Sequence, residues 1–181
     1  MSRIAIPQSI DEAPVASQPV LKEVNIRLGM LPNVFRLLSN SPTVLKGVVD
    51  LQNTLSRVLD ANTRHALAMG VTEINGCNYC RTAHSFVAAN VGKLSLDEIH
   101  LNQAGDSSDP KRAAAVKFGR RVTELRGKVS DEDLQEVRAA GYTDAEVLEI
   151  VAFSVQTLMT NFINNLADTD VDFPSVEPTV A

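Results

Sequence analysis

The sequence predicts an all-α domain. Apolar residues recur at spacings of three and four along most of the 181-residue chain, which is the period of an amphipathic helix. Serine, threonine and aspartate stand where these apolar runs begin, and glycine stands where several of them end. No segment alternates apolar and polar residues between turn dipeptides, so nothing indicates a β-hairpin. The pattern therefore predicts a multi-helix bundle of about eight helices with short connections.

The N-terminal part of the chain begins with an arm and continues into three helices. Residues 1–19, which hold three prolines, are expected to be irregular. Pro32 and Pro42 begin the first two helices, because proline lacks the N–H that a first helical turn leaves unbonded. Asp60 is the expected N-cap of the third helix, which covers about 61–75 and is buried because its centre is apolar on all sides.

The helices of the C-terminal part are marked by their ends. One begins at Cys77 and ends at a glycine, and another covers Lys111–Arg126. Three more begin at capping-box pairs, in which a hydroxyl residue precedes an acidic residue by three positions: Ser95 with Glu98, Ser130 with Asp133, and Thr143 with Glu146. The last of these helices extends over about 144–167. Residues 20–170 are therefore expected to form one helical domain, and residues 171–181 an irregular tail.

Composition narrows the classes of function. The net charge is −5, and no cluster of lysine and arginine forms the basic stripe that nucleic-acid binding requires. Nothing at the N-terminus resembles a signal peptide, and no stretch approaches the roughly 18 apolar residues that span a membrane. We therefore expect a cytoplasmic protein without nucleic-acid or membrane partners. Structural disulfides are rare in that compartment.

The two cysteines are the most informative residues. Cys77 and Cys80 are the only cysteines in the chain, and in a reducing compartment such a pair points to metal binding or thiol chemistry. Residues three apart at the start of a helix can close a disulfide, and the free N–H groups there stabilise a thiolate. His84 is four residues after Cys80, and its imidazole is expected to lean back toward that sulfur as a base.

Three interpretations of this cluster are open at this point. The first is redox chemistry at the dithiol. The second is a zinc site, for which the two cysteines and His84 supply three ligands and His65 or His100 is a candidate fourth. The third is a pair of structural cysteines beside a surface histidine.

Residues 75–84, which spell NGCNYCRTAH, resemble the active-site signature of the alkylhydroperoxidase D-like (AhpD-like) proteins. These proteins belong to the carboxymuconolactone decarboxylase superfamily, and the chain resembles its peroxidase-related branch. The likeness extends from Leu28–Asn33 through the cysteines to Thr160, Asn161 and residues 172–174. It implies an AhpD-like helical bundle that assembles as a homo-oligomer, either a trimer or a hexamer.

The resemblance also implies a division of labour between the cysteines. Cys80 attacks the peroxide O–O bond and becomes a sulfenic acid, and Cys77 condenses with it to form a disulfide. The helix dipole alone favours Cys77 as the more acidic thiol, whereas the position of His84 favours Cys80, and we give precedence to the geometry of proton transfer. No cofactor or metal is needed, but an external thiol donor, a lipoylated or thioredoxin-like protein, has to reduce the disulfide.

One position departs from the family pattern. The family usually places a glutamate twelve residues before the first cysteine, as part of a proton relay, and this chain has His65 there. A histidine lacks the fixed negative charge that raises the basicity of a neighbouring imidazole. Glu73, the nearest carboxylate in the sequence, is a candidate substitute. Asn161 is a candidate for a hydrogen bond near the dithiol, because polar side chains on an apolar helix need partners.

The function that follows is a thiol-dependent peroxide reductase. One alternative is a non-enzymatic redox sensor or a zinc-stabilised oligomeric scaffold, which the missing glutamate favours. Another alternative is a decarboxylase of the lactone-processing branch of the superfamily. That branch works without a Cys-x-x-Cys pair, so the dithiol argues against it.

Overall fold

The computed structural model describes residues 2–176, and every regular element within that range is helical. A short 3₁₀ helix, Val15–Ser17, precedes nine α-helices of the described chain: α1 (Gln18–Leu28), α2 (Asn33–Leu38), α3 (Pro42–Leu55), α4 (Ala61–Asn75), α5 (Asn78–Asn90), α6 (Leu96–Ala104), α7 (Pro110–Glu124), α8 (Asp131–Ala139) and α9 (Asp144–Ala167). The all-α prediction is confirmed. The sequence pattern does not predict α1, which begins inside the expected N-terminal arm. The end of the expected tail, residues 177–181, lies outside the described residues.

The central helix of the bundle is α4, which contacts α5, α6, α7 and α9. Its middle segment, residues 66–72, is buried throughout, as its uniformly apolar sequence predicts. Small residues in this segment let neighbouring helices approach closely. A Cβ built on Gly70 would lie 2.7 Å from the side chain of Val116, so α7 packs directly on the α4 backbone. This packing fixes the end of α4, which leads into the two cysteines.

The longest helix is α9. By length and composition it is the one helix of residues 2–176 apolar enough to cross a membrane. It contacts α3, α4, α5, α7 and α8, and its buried residues include the polar Asn161 and Asn164. A helix in the core of a bundle can have the same length and apolar composition. Because α9 contacts five other helices, we assign it to the core of the bundle. The consequence for the site is that α9 brings asparagine side chains to the connection between α4 and α5.

All the predicted N-caps form, but one of the three predicted capping boxes does not close. Asp60 caps α4, and Ser130 and Thr143 begin α8 and α9 with closed capping boxes. Ser95 caps α6 by accepting a hydrogen bond from the N–H of Glu98, but the Glu98 carboxylate turns away toward the α6–α7 connection. The capping box predicted at Ser95 is therefore wrong, because donors from the α6–α7 connection and from α7 hold the carboxylate instead.

Candidate active site

The two cysteines lie at the turn between α4 and α5. After Asn75 ends α4, Gly76 takes the left-handed conformation, with φ +59°, that turns the chain. Cys77 is the N-cap of α5, and its Sγ accepts a hydrogen bond from the N–H of Cys80 at 3.3 Å. The Cα atoms of the two cysteines are 5.3 Å apart, and their sulfurs form a disulfide. The structure thus places the pair in the first turn of a helix, where unbonded N–H groups favour a thiolate.

Two asparagines of α9 hold the backbone of this turn. Asn161 accepts a hydrogen bond from Asn75 Nδ2 at 3.0 Å and donates one to Thr72 Oγ1 at 3.1 Å. Asn165 Nδ2 donates to the carbonyl oxygen of Asn75 at 2.8 Å. The Asn161 side chain, which the sequence suggests as a partner of the dithiol, therefore supports the turn before the cysteines and not a sulfur atom.

The asparagine that reaches the dithiol is Asn164. Its Nδ2 lies 3.4 Å from Cys80 Sγ, and the side chain is buried. The sequence carries a signal for such a contact, since three asparagines interrupt an otherwise apolar helix. The sequence does not reveal how α9 is rotated about its axis. That rotation decides which of the three asparagines points toward the sulfur.

A cavity of about 160 Å³ opens beside Cys80, and we call it the apolar pocket. Cys80 and His84 both line it, whereas Cys77 is not among the lining residues of the described chain. Its full lining consists of Leu28, Pro32, Val34, Phe35, Gln52, Tyr79, Cys80, Ala83, His84, Val87, Thr160, Asn164 and Phe173. A small apolar molecule in this pocket would therefore meet the Cys80 sulfur and the His84 imidazole together.

His84 is half-buried on α5, and no described residue forms a hydrogen bond with its imidazole. Burial in the bundle, together with the nearby His65, lowers the pKa of His84 to about 4. The imidazole is therefore neutral at pH 7. It is available to accept a proton there, but it supplies no positive charge to a thiolate.

His65, at the position where a glutamate was expected by resemblance, is also half-buried. Burial and then Arg64 lower its pKa. Its ring lies against the backbone at the end of α5, since a Cβ built on Gly92 would be 2.9 Å from His65 Cδ2. His65 is not among the described residues that line the apolar pocket, and its influence on His84 is electrostatic.

Glu73 is not brought to the sulfurs. Its two carboxylate oxygens accept hydrogen bonds from Arg81 Nε and Nη2, each at 2.6 Å. The pair lies on a separate groove that is also lined by the exposed His100. The structure therefore brings together Cys77, Cys80 and His84, places His65 behind His84, and commits Glu73 to an ion pair.

The C-terminal segment, residues 169–174, covers one side of the apolar pocket, and we call it the strap. Asp172 Oδ2 accepts the N–H of Asn33 at 2.6 Å, and the Tyr79 hydroxyl accepts the N–H of Val34 at 3.2 Å. The strap and Tyr79 thereby satisfy the first two N–H groups of α2, which has no side-chain cap of its own. Phe173 packs edge-on against Tyr79, with ring centroids 5.9 Å apart. Burial raises the pKa of Tyr79, so its hydroxyl stays neutral.

A zinc site is not assembled by these residues. Within residues 2–176, no group of three histidine, cysteine, aspartate or glutamate side chains is arranged to hold a metal ion. His65 packs against the end of α5 and His100 lies on the other groove, so neither completes a ligand set with the cysteines. The geometry of the site therefore favours thiol chemistry over metal binding.

Comparison with known proteins identifies the fold. No protein-family model matches the sequence, and no curated protein is significantly similar to it. Solved structures do match over nearly the whole chain. An uncharacterized peroxidase-related protein with an AhpD core from Ralstonia eutropha JMP134 is 21% identical, with a TM-score of 0.83 over 94% of this chain and 92% of that one. An uncharacterized peroxidase-related protein from Silicibacter sp. TM1040 is 20% identical, with a TM-score of 0.81 over 93% and 91%.

A third similar structure has the same fold, but the protein is named for a different activity, debromination. It is a cysteine-to-alanine variant of the debrominase Bmp8 in complex with 2,3,4-tribromopyrrole. This protein is 19% identical, with a TM-score of 0.78 over 95% of this chain and 93% of that one. Likeness at this level of identity concerns the fold alone. The expected AhpD-like helical fold is confirmed, and the activity has to be argued from the site.

Proposed function

We propose that this AhpD-like chain is a thiol peroxidase that reduces an organic hydroperoxide to an alcohol. The observation that carries the proposal is the position of Cys80. Its sulfur faces the apolar pocket beside the neutral His84, and on its other side it is bonded to Cys77. This arrangement supports Cys80 as the cysteine that meets the substrate and Cys77 as the one that closes the disulfide. No cofactor is required for this chemistry.

The reaction has two steps at the dithiol. In the first, His84 takes the proton of the Cys80 thiol, the thiolate attacks the terminal peroxide oxygen, and the O–O bond breaks. The leaving alkoxide takes the proton from His84, so that Cys80 becomes a sulfenic acid and an alcohol is released. In the second step, the Cys77 thiol attacks the sulfenic sulfur, a disulfide forms and water leaves. The two sulfurs together supply the two electrons that the peroxide gains.

His84 fits the part of a proton shuttle. A neutral imidazole with a pKa of about 4 accepts a proton only transiently and gives it readily to an alkoxide. His65 is proposed to support this behaviour, because a positive charge on either ring would oppose a charge on the other. A carboxylate at that position would raise the basicity of His84 instead, so we expect this site to be tuned differently from a glutamate-containing one.

The cycle ends with re-reduction of the disulfide by an external dithiol. We propose a lipoylated or thioredoxin-like protein as the donor, because either can exchange two thiols for the Cys77–Cys80 bond and leave oxidised itself. The protein would work in the cytoplasm, where such donors are kept reduced.

The lining of the apolar pocket indicates the kind of peroxide. Phe35, Tyr79 and Phe173 contribute aromatic rings, and half of the remaining lining residues are aliphatic. Hydrogen peroxide has no apolar group, so an apolar wall adds nothing to its binding free energy. An organic hydroperoxide binds more tightly, because its apolar groups leave water when they enter the pocket. We expect kcat/KM for cumene hydroperoxide to exceed that for hydrogen peroxide by about tenfold or more.

The test is peroxide consumption with dithiothreitol as the reductant. With dithiothreitol, wild type should turn over and Cys80→Ser should be inactive. Cys77→Ser should turn over more slowly than wild type, because dithiothreitol must reduce the Cys80 sulfenic acid directly. Without dithiothreitol, reduced Cys77→Ser should consume one equivalent of peroxide at most and end as the sulfenic acid, whereas wild type should end as the disulfide. Equal activity in all three proteins would refute the proposal. Turnover of a carboxylated lactone that survives both substitutions would support a decarboxylase instead.

Reductive debromination of an aromatic ring is a second candidate function. The apolar pocket is lined with aromatic rings, and the debrominase Bmp8, which shares the fold, was solved with a brominated pyrrole. The same two thiols could convert an aryl bromide to the aryl hydride, with formation of the disulfide and release of bromide and a proton. Bromide release from 2,3,4-tribromopyrrole that requires Cys80 and exceeds the rate with cumene hydroperoxide would favour this candidate over the first.

The protein is proposed to act as a homo-oligomer, either a trimer or a hexamer. The exposed face of α9 supports this, since Leu148, Val155, Phe162 and Leu166 project apolar surface from one helix. A row of this length on a single helix is typical of an interface. Elution at the mass of a trimer or hexamer at dilute concentration is expected. A monomer would contradict the proposal.

A further inference from the structure

The side chain of Asn164 is oriented by its own helix. Asn164 Nδ2 donates one hydrogen bond to the carbonyl oxygen of Thr160 at 3.0 Å, and it lies 3.4 Å from Cys80 Sγ. A carbonyl can only accept, so the end of the carboxamide on this side must be the NH₂ group. That group has two N–H bonds. One is held by Thr160, and the other points to the Cys80 sulfur.

The two buried asparagines of α9 differ in how they are satisfied. Asn161 uses both ends of its carboxamide in hydrogen bonds with Asn75 and Thr72. Asn164 is 3% exposed, yet its Oδ1 accepts no hydrogen bond from the described residues. An amide buried for structural reasons is normally satisfied at both ends, as Asn161 is. Asn164 therefore gives the turn no comparable support, and within the described chain the one hydrogen bond of its side chain outside α9 is with the sulfur.

In the resting protein, neither of the two basic side chains that follow Cys80 most closely in the sequence supplies a positive charge to its sulfur. His84 is neutral, because burial and His65 lower its pKa to about 4. Arg81, the cation nearest in sequence, is held by Glu73 on the other groove. A neutral hydrogen-bond donor is a second way to stabilise a thiolate at Cys80. Asn164 Nδ2 is such a donor to Cys80 Sγ, whereas the first-turn N–H of Cys80 donates to the sulfur of Cys77.

We propose that Asn164 is a catalytic residue, whose carboxamide N–H holds the Cys80 thiolate by an N–H···S hydrogen bond and keeps it aimed into the apolar pocket. Its importance for turnover rests on the proposed function, but the hydrogen bond itself can be tested in the reduced protein without any peroxide. Hydrogen bonds to charged groups are stronger than those to neutral groups, so the bond favours the thiolate over the thiol. The effect is thus on the ionisation of one sulfur.

The test measures ionisation of Cys80 without peroxide. In a Cys77→Ser background, which prevents disulfide formation, the rate of alkylation by iodoacetamide is followed from pH 4 to pH 10. Asn164→Ala is expected to move the midpoint of this curve up by about one pH unit or more. Asn164→Asp, which keeps the shape of the side chain, is expected to move it further, because a carboxylate repels the thiolate. This second variant provides the measurement if alanine disturbs folding.

The matched control is Asn102→Ala, which removes a buried carboxamide of α6 that forms no hydrogen bond with the described residues and does not line the apolar pocket. Its midpoint is expected to equal that of the background protein. An unchanged midpoint in both Asn164 variants, or an equal shift in the Asn102 control, would overturn the proposal. A shift confined to the Asn164 variants in a protein that reduces no peroxide would support the hydrogen bond and count against the proposed function instead.

Discussion

Glu98 on α6 and His84 on α5 are two ionisable side chains in the interior of one bundle, and the structure treats them in opposite ways. Glu98 Oε1 accepts hydrogen bonds from Ser107 Oγ at 2.5 Å and from Arg112 Nη1 at 3.1 Å, and Oε2 accepts one from the N–H of Ser108 at 2.9 Å. Although burial opposes it, these bonds lower the pKa of Glu98 to about 2. His84 has no such partners in the described chain.

The difference separates a structural charge from a group that we propose to be reactive. Glu98 is charged at every physiological pH, and its charge ties the first turn of α6 to the α6–α7 connection and to the start of α7. His84 is kept neutral by burial and faces a cavity, so that proton exchange with a molecule in the pocket breaks no protein hydrogen bond. Replacing each residue should therefore affect a different property, stability for Glu98 and reactivity for His84.

The largest effect is expected for His84→Gln. Loss of the proton shuttle should lower the rate of peroxide reduction by about 10²- to 10⁴-fold. Stability should change little at pH 7, because the neutral imidazole has no hydrogen bond to lose among the described residues. Peroxide consumption and urea unfolding on the same preparations measure both. His100→Gln, on an exposed histidine of α6, is the control that should retain full activity.

Glu98→Gln is expected to show the reverse. Removal of one partner of a buried ion pair leaves Arg112, whose side chain is 16% exposed, without its counter-charge, and should lower the free energy of unfolding by about 3 kcal/mol. Activity per folded molecule should be unchanged. Glu136→Gln, which breaks an exposed pair with Lys117, should leave the urea midpoint nearly where it was. Equal destabilisation by both substitutions would contradict the distinction drawn here.

His84 and Glu98 should also lower the free energy of unfolding in two different pH ranges as the solution is acidified. The unfolded chain protonates His84 at about its ordinary pKa of 6.5, whereas the folded protein does so only near 4. Between these values the unfolded state binds more protons, so stability falls as pH falls, by about 2 to 3 kcal/mol. For Glu98 the ordinary pKa is 4.5 and the folded value about 2, so its contribution is complete above 4.5 and is lost below it.

Urea unfolding of the two glutamine variants between pH 3 and pH 8 tests this division. His84→Gln should flatten the profile between about pH 6.5 and 4, and Glu98→Gln should flatten it below about pH 4.5. If the decline of the wild type between pH 6.5 and 4 persists in His84→Gln, the neutral state of the buried imidazole is not its cause.

Local features of the sequence predicted the fold well. The expected bounds of 61–75 and 144–167 agree with α4 and α9, because each helix combines a strong N-cap with long apolar periodicity. The missed helix, α1, buries only Leu21 and Val24 and begins among prolines, so its periodicity is too short to stand out. Helices were thus predictable where their own residues determine them.

The part of the site formed by residues close together in the sequence could be predicted, whereas the contacts between different helices could not. The spacing of Cys77, Cys80 and His84 puts them within the first two turns of one helix, and the structure has them there, on α5. The choice of Asn164 over Asn161 depends on how α9 rotates against α5, and no local pattern contains that angle. The predicted capping box of Ser95 with Glu98 was wrong for the same reason. The partners that hold the Glu98 carboxylate are nine to fourteen residues away along the chain.

The smallest effect is expected when only one hydrogen-bond partner of the Glu98 carboxylate is removed. Ser107→Ala removes the hydroxyl that donates to Glu98 Oε1 but leaves Arg112 and the Ser108 N–H in place. The free energy of unfolding should fall by about 1 kcal/mol, and the pKa of Glu98 should rise, because one of the bonds that favour its charged form is gone.

Ser107→Thr, which keeps a hydroxyl at this position, should restore most of that stability. Peroxide reduction should be the same in wild type and both variants, because the network around Glu98 contributes no residue to the apolar pocket. A loss of activity in Ser107→Ala at full folding would mean that the α6–α7 corner and the dithiol are coupled. The contrast between a structural charge and a reactive histidine would then describe one connected network and not two independent regions.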